Sequence, residues 1–280
     1  MVARYKKAFG PFEGILYSLI TTVIKLSNVP VIKKPIERIA SRKRYKVITI
    51  PVDILVHGNS AVLHFDAAKK LIEASSHITV IRACVCREGK DCKAYPKDLG
   101  CLFLGPGARS MSLMGRAREI GKEEALEHLQ KARSLGLVNN VIWSSVELRL
   151  LGADARHTVE LCACCPCCCL AFKTRDASRA FIDGIAGFGL AKVMDSEGCT
   201  RCMTCERSCP FKAIHVDARA GPVIDAGRCK GCGRCETLCN NKVIKVLPLE
   251  STMANGVREA NAGSPVSGEA YFEQFLSMVK

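Results

Sequence analysis

The sequence predicts an α+β chain of several domains, in which a mixed α/β cysteine-rich domain precedes a small duplicated unit. Three observations predict this. Helix-like and strand-like hydrophobic periods alternate through residues 47–175. Residues 195–247 repeat themselves at an offset of thirty. Eighteen cysteines fall into four tight runs. The chain has 280 residues, 48% hydrophobic and 24% charged, which is room for two or three globular domains and excludes a disordered chain. Four segments follow: a basic N-terminal segment (1–46), a cysteine-rich α/β domain (47–194), the duplicated unit (195–247), and a linker with a C-terminal docking helix (248–280).

Residues 14–26 read as an amphipathic helix. Ile15, Leu16, Leu19, Ile20, Val23 and Ile24 make its apolar face, and Ser18, Thr21, Thr22 and Lys25 its polar one. Asn28 and Pro30 stop it. It is too short to span a bilayer, and its basic flanks suit either a membrane surface or packing on protein. Next come a strand (47–56), a helix (66–76) and a strand (77–83) that delivers the chain to Cys84. Helix 121–136 has acidic residues early, basic residues late and Gly136 as its stop, and strand 137–143 follows it. A helix is expected over 176–186. Residues 248–266 have linker composition, and 268–279 regain a helical pattern with Phe272, Phe275, Leu276 and Val279 on one side.

The cysteines decide the chemistry. The start, MVARYKKAFGPFEG, lacks an apolar run with a small-residue cleavage site, so a cytoplasmic, thiol-reducing setting is expected. Neighbours such as Cys164–Cys165 and Cys167–Cys168–Cys169 are poor disulfide partners for one another. Metal-ligating thiols fit better.

The duplicated unit carries Cys199-x2-Cys202-x2-Cys205-x3-Cys209-Pro210 and Cys229-x2-Cys232-x2-Cys235-x3-Cys239. The same offset maps Asp195 onto Asp225, Ile214 onto Ile244 and Val216 onto Val246. Three cysteines spaced by two wrap a short loop around three corners of a cubane, and a distant cysteine supplies the fourth. The expected sets are therefore Cys199, Cys202, Cys205 and Cys239 for one [4Fe–4S] cluster, and Cys229, Cys232, Cys235 and Cys209 for another. Gly198, Gly231 and Gly233 leave room where backbone must crowd a cluster. Zinc sites more often show paired C-x2-C knuckles, four ligands in all.

This unit resembles bacterial-type ferredoxins with two [4Fe–4S] clusters. The resemblance implies a ferredoxin-like dicluster domain, a pseudo-two-fold βαβ repeat, and low-potential electron transfer. The second run departs from the family pattern, since Asn240 stands where proline follows the fourth cysteine.

Ten cysteines remain as candidate metal ligands: Cys84, Cys86, Cys92 and Cys101, then Cys162, Cys164, Cys165, Cys167, Cys168 and Cys169. Each group has enough thiols for a cubane. Either each holds its own cluster, or the groups come together and share one or two, leaving a spare thiol for chemistry. The order of parts resembles larger ferredoxin-like proteins of anaerobes, with C-x-C-R…C…C-L and C-x-C-C-x-C-C-C segments upstream of a dicluster unit. That resemblance implies one or two further Fe–S clusters and names no substrate.

The formal net charge of +14 partly compensates anionic clusters; the remainder fits an acidic redox partner, an anionic membrane surface or nucleic acid. The scarcity of aromatics, one Trp and five Tyr, argues against a nucleic-acid groove. Gly105–Ser110 matches no phosphate-binding fingerprint and reads as a tight turn. Three functions are therefore carried forward: an electron-transfer protein or subunit of a complex, peripheral to the inner face of the membrane through residues 14–26 or free in the cytoplasm; a reductase with an unusual cluster or reactive thiol at Cys162–Cys169; and a redox-responsive nucleic-acid-binding regulator.

Overall fold

The computed structural model describes residues 12–39, 44–50, 63–178, 181, 184–248 and 268–280. Two helices open it, α1 (Glu13–Leu26) and α2 (Pro30–Ile39). Pro30 ends no helix here. It opens the second, where its missing N–H costs nothing and its φ is already helical.

The body is a seven-stranded sheet built from β1 (Tyr45–Ile50), β2 (Ile78–Ile81), β3 (Leu102–Leu104), β4 (Ala117–Glu119), β5 (Val138–Ser144), β6 (Val159–Cys164) and β7 (Ile185–Gly187). Their order is β4-β2-β3-β6-β5-β1-β7, antiparallel throughout except for the parallel pair β1–β7. The two-residue period of a strand sorts the side chains onto two faces. Ile48, Ile50, Ile78, Val80, Leu102, Leu104, Val141, Val159 and Leu161 point to one core. Val47, Ile81, Cys101, Phe103, Val138, Ile142, Cys162 and Cys164 point to the other. The C-x-C spacing on β6 therefore aims both thiols at the same side.

Helices α3 (Leu63–Ala74), α6 (Lys122–Ser134) and α11 (Gly268–Val279) supply the first core. In α6, Glu123 and Glu124 open the helix and Lys131 and Arg133 close it, matching its dipole. Gly136 then turns the chain with φ +65°. In α11, Tyr271, Phe272, Phe275 and Val279 are buried. Each such side chain contributes about 1.5–3 kcal/mol. Lys46 also donates to the Gln274 side chain at 2.6 Å, so α11 docks on the protein's own body.

Short helices border the other face: α4 (Val85–Gly89), α5 (Arg109–Leu113), α7 (Ser145–Leu150) and α8 (Leu170–Lys173). α1 packs on α4 and α8 and donates a hydrogen bond from the Tyr17 hydroxyl to the Cys168 carbonyl at 2.8 Å. Tyr17 and Ile24 are its buried residues, whereas Ile15, Leu19 and Val23, expected on the packed face, are exposed.

After the body, β8 (Gly189–Val193), α9 (Thr204–Ser208), β9 (Ile214–Asp217), β10 (Gly221–Ile224), α10 (Arg234–Thr237) and β11 (Ile244–Pro248) form the C-terminal unit. β8 pairs with β11 and β9 with β10, both antiparallel. Conformation follows the thirty-residue offset. Met203 and Gly233 both cap a helix at positive φ, and Arg201 and Gly231, two residues earlier in the loops, also have positive φ. Glu206 accepts from the Val216 N–H at 2.6 Å, and Glu236 from the Val246 N–H at 2.7 Å.

Two expectations change. Of the helix expected over 176–186, Phe181 is helical, but Asp176 belongs to a 3-10 turn, Ala177 is extended, 185–187 is strand β7, and residues 179, 180, 182 and 183 lie outside the described residues. Pairing with the edge of β1 makes residues 185–187 strand. The strand expected over 47–56 spans Tyr45–Ile50, and 51–56 lie outside the described residues, as does the 249–266 part of the expected linker. Strand β5 joins the seven-stranded sheet, and helix α6 packs into its first core.

His128 on α6 lies at 2.8 Å from the Gly100 carbonyl, and burial lowers its pKa from 6.5. A lowered base favours the neutral form in the fold. That stability is present above pH 6.5 and is lost as pH falls towards the folded pKa. The difference in unfolding free energy between wild type and His128→Gln should shrink below that pH, by no more than about 1.4 kcal/mol per pH unit, the limit for one proton. Denaturant titration across the range checks it; a constant difference would contradict it.

Candidate metal centres

In the C-terminal unit, Cys209, Cys229, Cys232 and Cys235 line one small cavity with Phe211 and Val246. Glycine makes the approach possible. Gly231 has φ +61°, and a Cβ there would stand 2.2 Å from the Gly189 carbonyl oxygen. Backbone N–H groups point at the sulfurs: Ala213 to Cys209 at 3.3 Å and Ala191 to Cys229 at 3.4 Å. Burial pushes the Cys232 thiol up to about 12, reinforced by Cys209 and Cys229. Bound iron, replacing the proton, relieves that penalty.

The other thiols of the unit gather separately. Burial raises Cys205, and the charges of Cys199 and Cys239 act on it. Arg201 N–H points at Cys199 Sγ at 3.4 Å. Cys202 is exposed, so this centre faces solvent while the other is enclosed. The structure thus brings Cys239 to the first run and Cys209 to the second. Asn241, beside the position where the family pattern has proline, donates to the Gly198 carbonyl at 2.6 Å and ties the second run to the first loop.

The upstream cysteines divide across the two sequence groups. Six form a closed ring of thiol contacts, Cys84–Cys101–Cys162–Cys164–Cys169–Cys86 and back to Cys84. Cys101 and Cys162 are 3.0 Å apart, and Cys164 and Cys169 are 2.9 Å apart. The other four, Cys92, Cys165, Cys167 and Cys168, make a second group whose sulfurs all lie within 4.8 Å of one another. Cys92 parts from the cysteines nearest it in sequence, because the loop after α4 carries it past the ring to the 165–168 turn.

Charge follows geometry in the ring. Hydrogen bonds from Cys101 and Cys86 hold Cys84 well below the ordinary thiol range. Against the cost of burial, Cys162 and Cys169 do the same for Cys164. These two thiols occupy opposite corners. Glu160, on the same face of β6, accepts from Cys162 at 3.0 Å, and burial pushes its carboxyl well above the usual range. Burial also pushes Glu147 up to about 7. Among the described residues, Asn140, 1% exposed, has no hydrogen-bond partner for its amide beyond the Cys164 thiol.

Arg87 is the countercharge. Its side chain is 0% exposed. It donates to the carbonyls of Ala163, at 2.8 Å, and Leu99. Burial opposes its charge, yet Cys84, Cys101, Cys165 and Cys164 raise its pKa overall. The guanidinium thus serves both upstream thiol groups. Its burial depends on tertiary contact, since the Leu99 carbonyl before β3 and the Ala163 carbonyl of β6 close over it only in the fold.

The ring and the enclosed centre share one core. Cys101, Cys162, Cys164 and Cys169 pack in the same cluster as Phe172, Phe211 and Cys232. Phe172 and Phe211 meet edge to face, ring centroids 5.3 Å apart. Arg228 donates to the Phe211 carbonyl at 3.2 Å and the Arg175 carbonyl at 2.9 Å, locking the unit to the body. The residues fit iron–sulfur clusters: thiol sets of sufficient number, backbone N–H groups aimed at sulfur, and an orphaned buried amide. When bound, such clusters supply one-electron redox chemistry. The chain's own part is to hold the thiols, donate to the sulfurs and exclude water.

Cys209→Ser is expected to disturb the EPR signal of the centre on Cys229, Cys232 and Cys235 and to spare that on the 199–205 loop; Cys239→Ser should do the reverse. Loss of the signal from the variant's own loop would contradict the crossed arrangement.

Residues 198–243 match the family model of the 4Fe-4S dicluster domain. Comparison with curated proteins and with solved structures returns no match. The C-terminal unit is therefore a ferredoxin-type iron–sulfur domain, set at the end of a mixed α/β body rich in further thiols.

Proposed function

We propose that the protein is a multi-cluster iron–sulfur electron-transfer protein, or a subunit of a complex, relaying low-potential electrons between a carrier and a partner redox enzyme. The observation that carries this reading is the shared core: the six-thiol ring packs through Phe172 and Phe211 against the enclosed ferredoxin-type centre. In this reading the two cysteine runs form a pseudo-two-fold pair of [4Fe–4S] sites, the ring holds a further cluster, and the exposed centre near Cys202 is the exchange point with a soluble partner.

The reading extends to location. Among the described residues no single helix is long and apolar enough to cross a membrane. Ile15, Leu19, Val23 and Leu26 nevertheless form an exposed stripe along α1, and Lys25, Lys34 and Arg38 stand on the same helical pair. That chemistry suits an anionic membrane surface on the cytoplasmic side.

A second reading rests on the ring's surplus. Six thiols exceed the four that one cubane needs, and Glu160 stands beside them as a proton carrier. A reductase would use the spare thiol or an open iron site there, fed by the ferredoxin-type domain.

Protein purified without oxygen should contain about twelve irons and about twelve acid-labile sulfides per chain, two cubanes in the C-terminal domain and one on the ring. About eight of each would confine clusters to the C-terminal domain and remove the upstream relay. A ring thiol that still reacts with alkylating reagents in the loaded protein would favour the reductase.

A further inference from the structure

We propose that Cys92, Cys165, Cys167 and Cys168 form a tetrahedral site for a single divalent ion of the zinc class, separate in kind from the cluster sites and structural in role. All four sulfurs lie within 4.8 Å of one another. Cys92 Sγ stands 3.8 Å from Cys167 Sγ, and Cys167 Sγ stands 3.5 Å from Cys168 Sγ. A zinc ion with Zn–S bonds of about 2.3 Å requires tetrahedral S···S edges of about 3.8 Å. A cubane is larger than one ion and holds its thiolates farther apart. Among the described residues, the ferredoxin-type thiols form no group this tight, and in the ring only Cys101, Glu160 and Cys162 do. Ring thiols touch in neighbouring pairs around a perimeter, whereas these four all converge on one point.

The surroundings fit a closed structural site. Cys92 accepts backbone N–H bonds from Ala94 and Tyr95, and Cys165 accepts one from Cys168. Such donors two and three residues on orient metal-bound thiolates and spread their charge. Leu99, Ala132, Leu137 and Ala163 pack around the site. Three of the thiols are buried and Cys167 is exposed, which leaves an entry path on one side. On binding, each thiol releases its proton to solvent and the four thiolates close the ion's coordination, with no electron exchanged. Arg87, whose charge is felt by Cys165, offsets part of the resulting negative charge.

The role follows from what the four residues join. Cys92 belongs to the loop after α4, and Cys165–Cys168 to the turn after β6. That turn leads into Cys169 of the ring, and the loop leads towards Cys101. An ion here pins both segments that deliver ring thiols, leaving the ring free for redox chemistry.

The test is metal analysis of the full chain purified without oxygen and without chelator, with zinc, iron and sulfide counted on one sample. The expected result is about one zinc per chain, with zinc-edge X-ray absorption showing four sulfurs at about 2.3 Å. Cys167→Ser, at the exposed ligand, should lower bound zinc at least about tenfold under mild chelation and leave iron and sulfide unchanged. Absence of zinc from the wild type, or a loss of about four irons and four sulfides in Cys167→Ser, would overturn the proposal. Its failure is distinct from failure of the relay, since a chain with four cubanes would sink the zinc site and keep the relay.

Discussion

A guanidinium with no water around it organises the thiol-rich half of this protein. Arg87 is fully buried, and the groups that sustain its charge are cysteines of both upstream sites. An isolated charge at such depth is prohibitive, so the arginine and the thiolates require one another. Two thiols at opposite corners of the ring, each lowered in pKa by two hydrogen-bonding neighbours, share this one fixed cation. It also places the loop after α4, because Arg87 donates to backbone next to Cys101 and at the end of β6. Anionic clusters or metal–thiolate groups sit comfortably against such a cation.

The sheet supplies the remaining order. Alternation along β3 and β6 sends Cys101, Cys162 and Cys164 to one face, while Leu102, Leu104 and Leu161 fill the other under α3, α6 and α11. The chemistry occupies one side and the stabilising core the other. The C-terminal domain then closes over the chemical side. Gly187 and Gly189 let the chain pass tightly against the loop at Lys230–Gly231, where a Cβ on Gly187 would meet the Lys230 carbonyl oxygen at 2.3 Å. The connection is short and closely packed.

Legibility in the sequence was uneven, for physical reasons. The ferredoxin-type domain was readable because its cysteines fall in two local runs at one repeated spacing. Helices α6 and α11 were readable from charge order and apolar period. The upstream sites were readable as thiol-rich but not as to their partition, because Cys92 joins Cys165–Cys168 only through tertiary contact. The C-terminal end of the helix expected over 176–186 shows the same limit: residues 185–187 are strand β7 because β1 offers an edge, which no local pattern announces. The exposed face of α1 was likewise hidden, since both sides of that helix carry apolar residues and Tyr17 decides which one packs. Glu160 and Asn140 carry no motif; only the strand parity of β5 and β6 places them at the ring.

The central claim is that the upstream ring and the ferredoxin-type domain form one redox unit. Low-temperature EPR of the reduced protein tests it most directly. If a cluster on the ring lies against the centre on Cys209, Cys229, Cys232 and Cys235, their signals must show magnetic interaction, and Cys84→Ser must remove that interaction while leaving the ferredoxin-type signals in place. A wild-type spectrum identical to that of the Cys84→Ser variant, with no added signal and no coupling, would contradict the account.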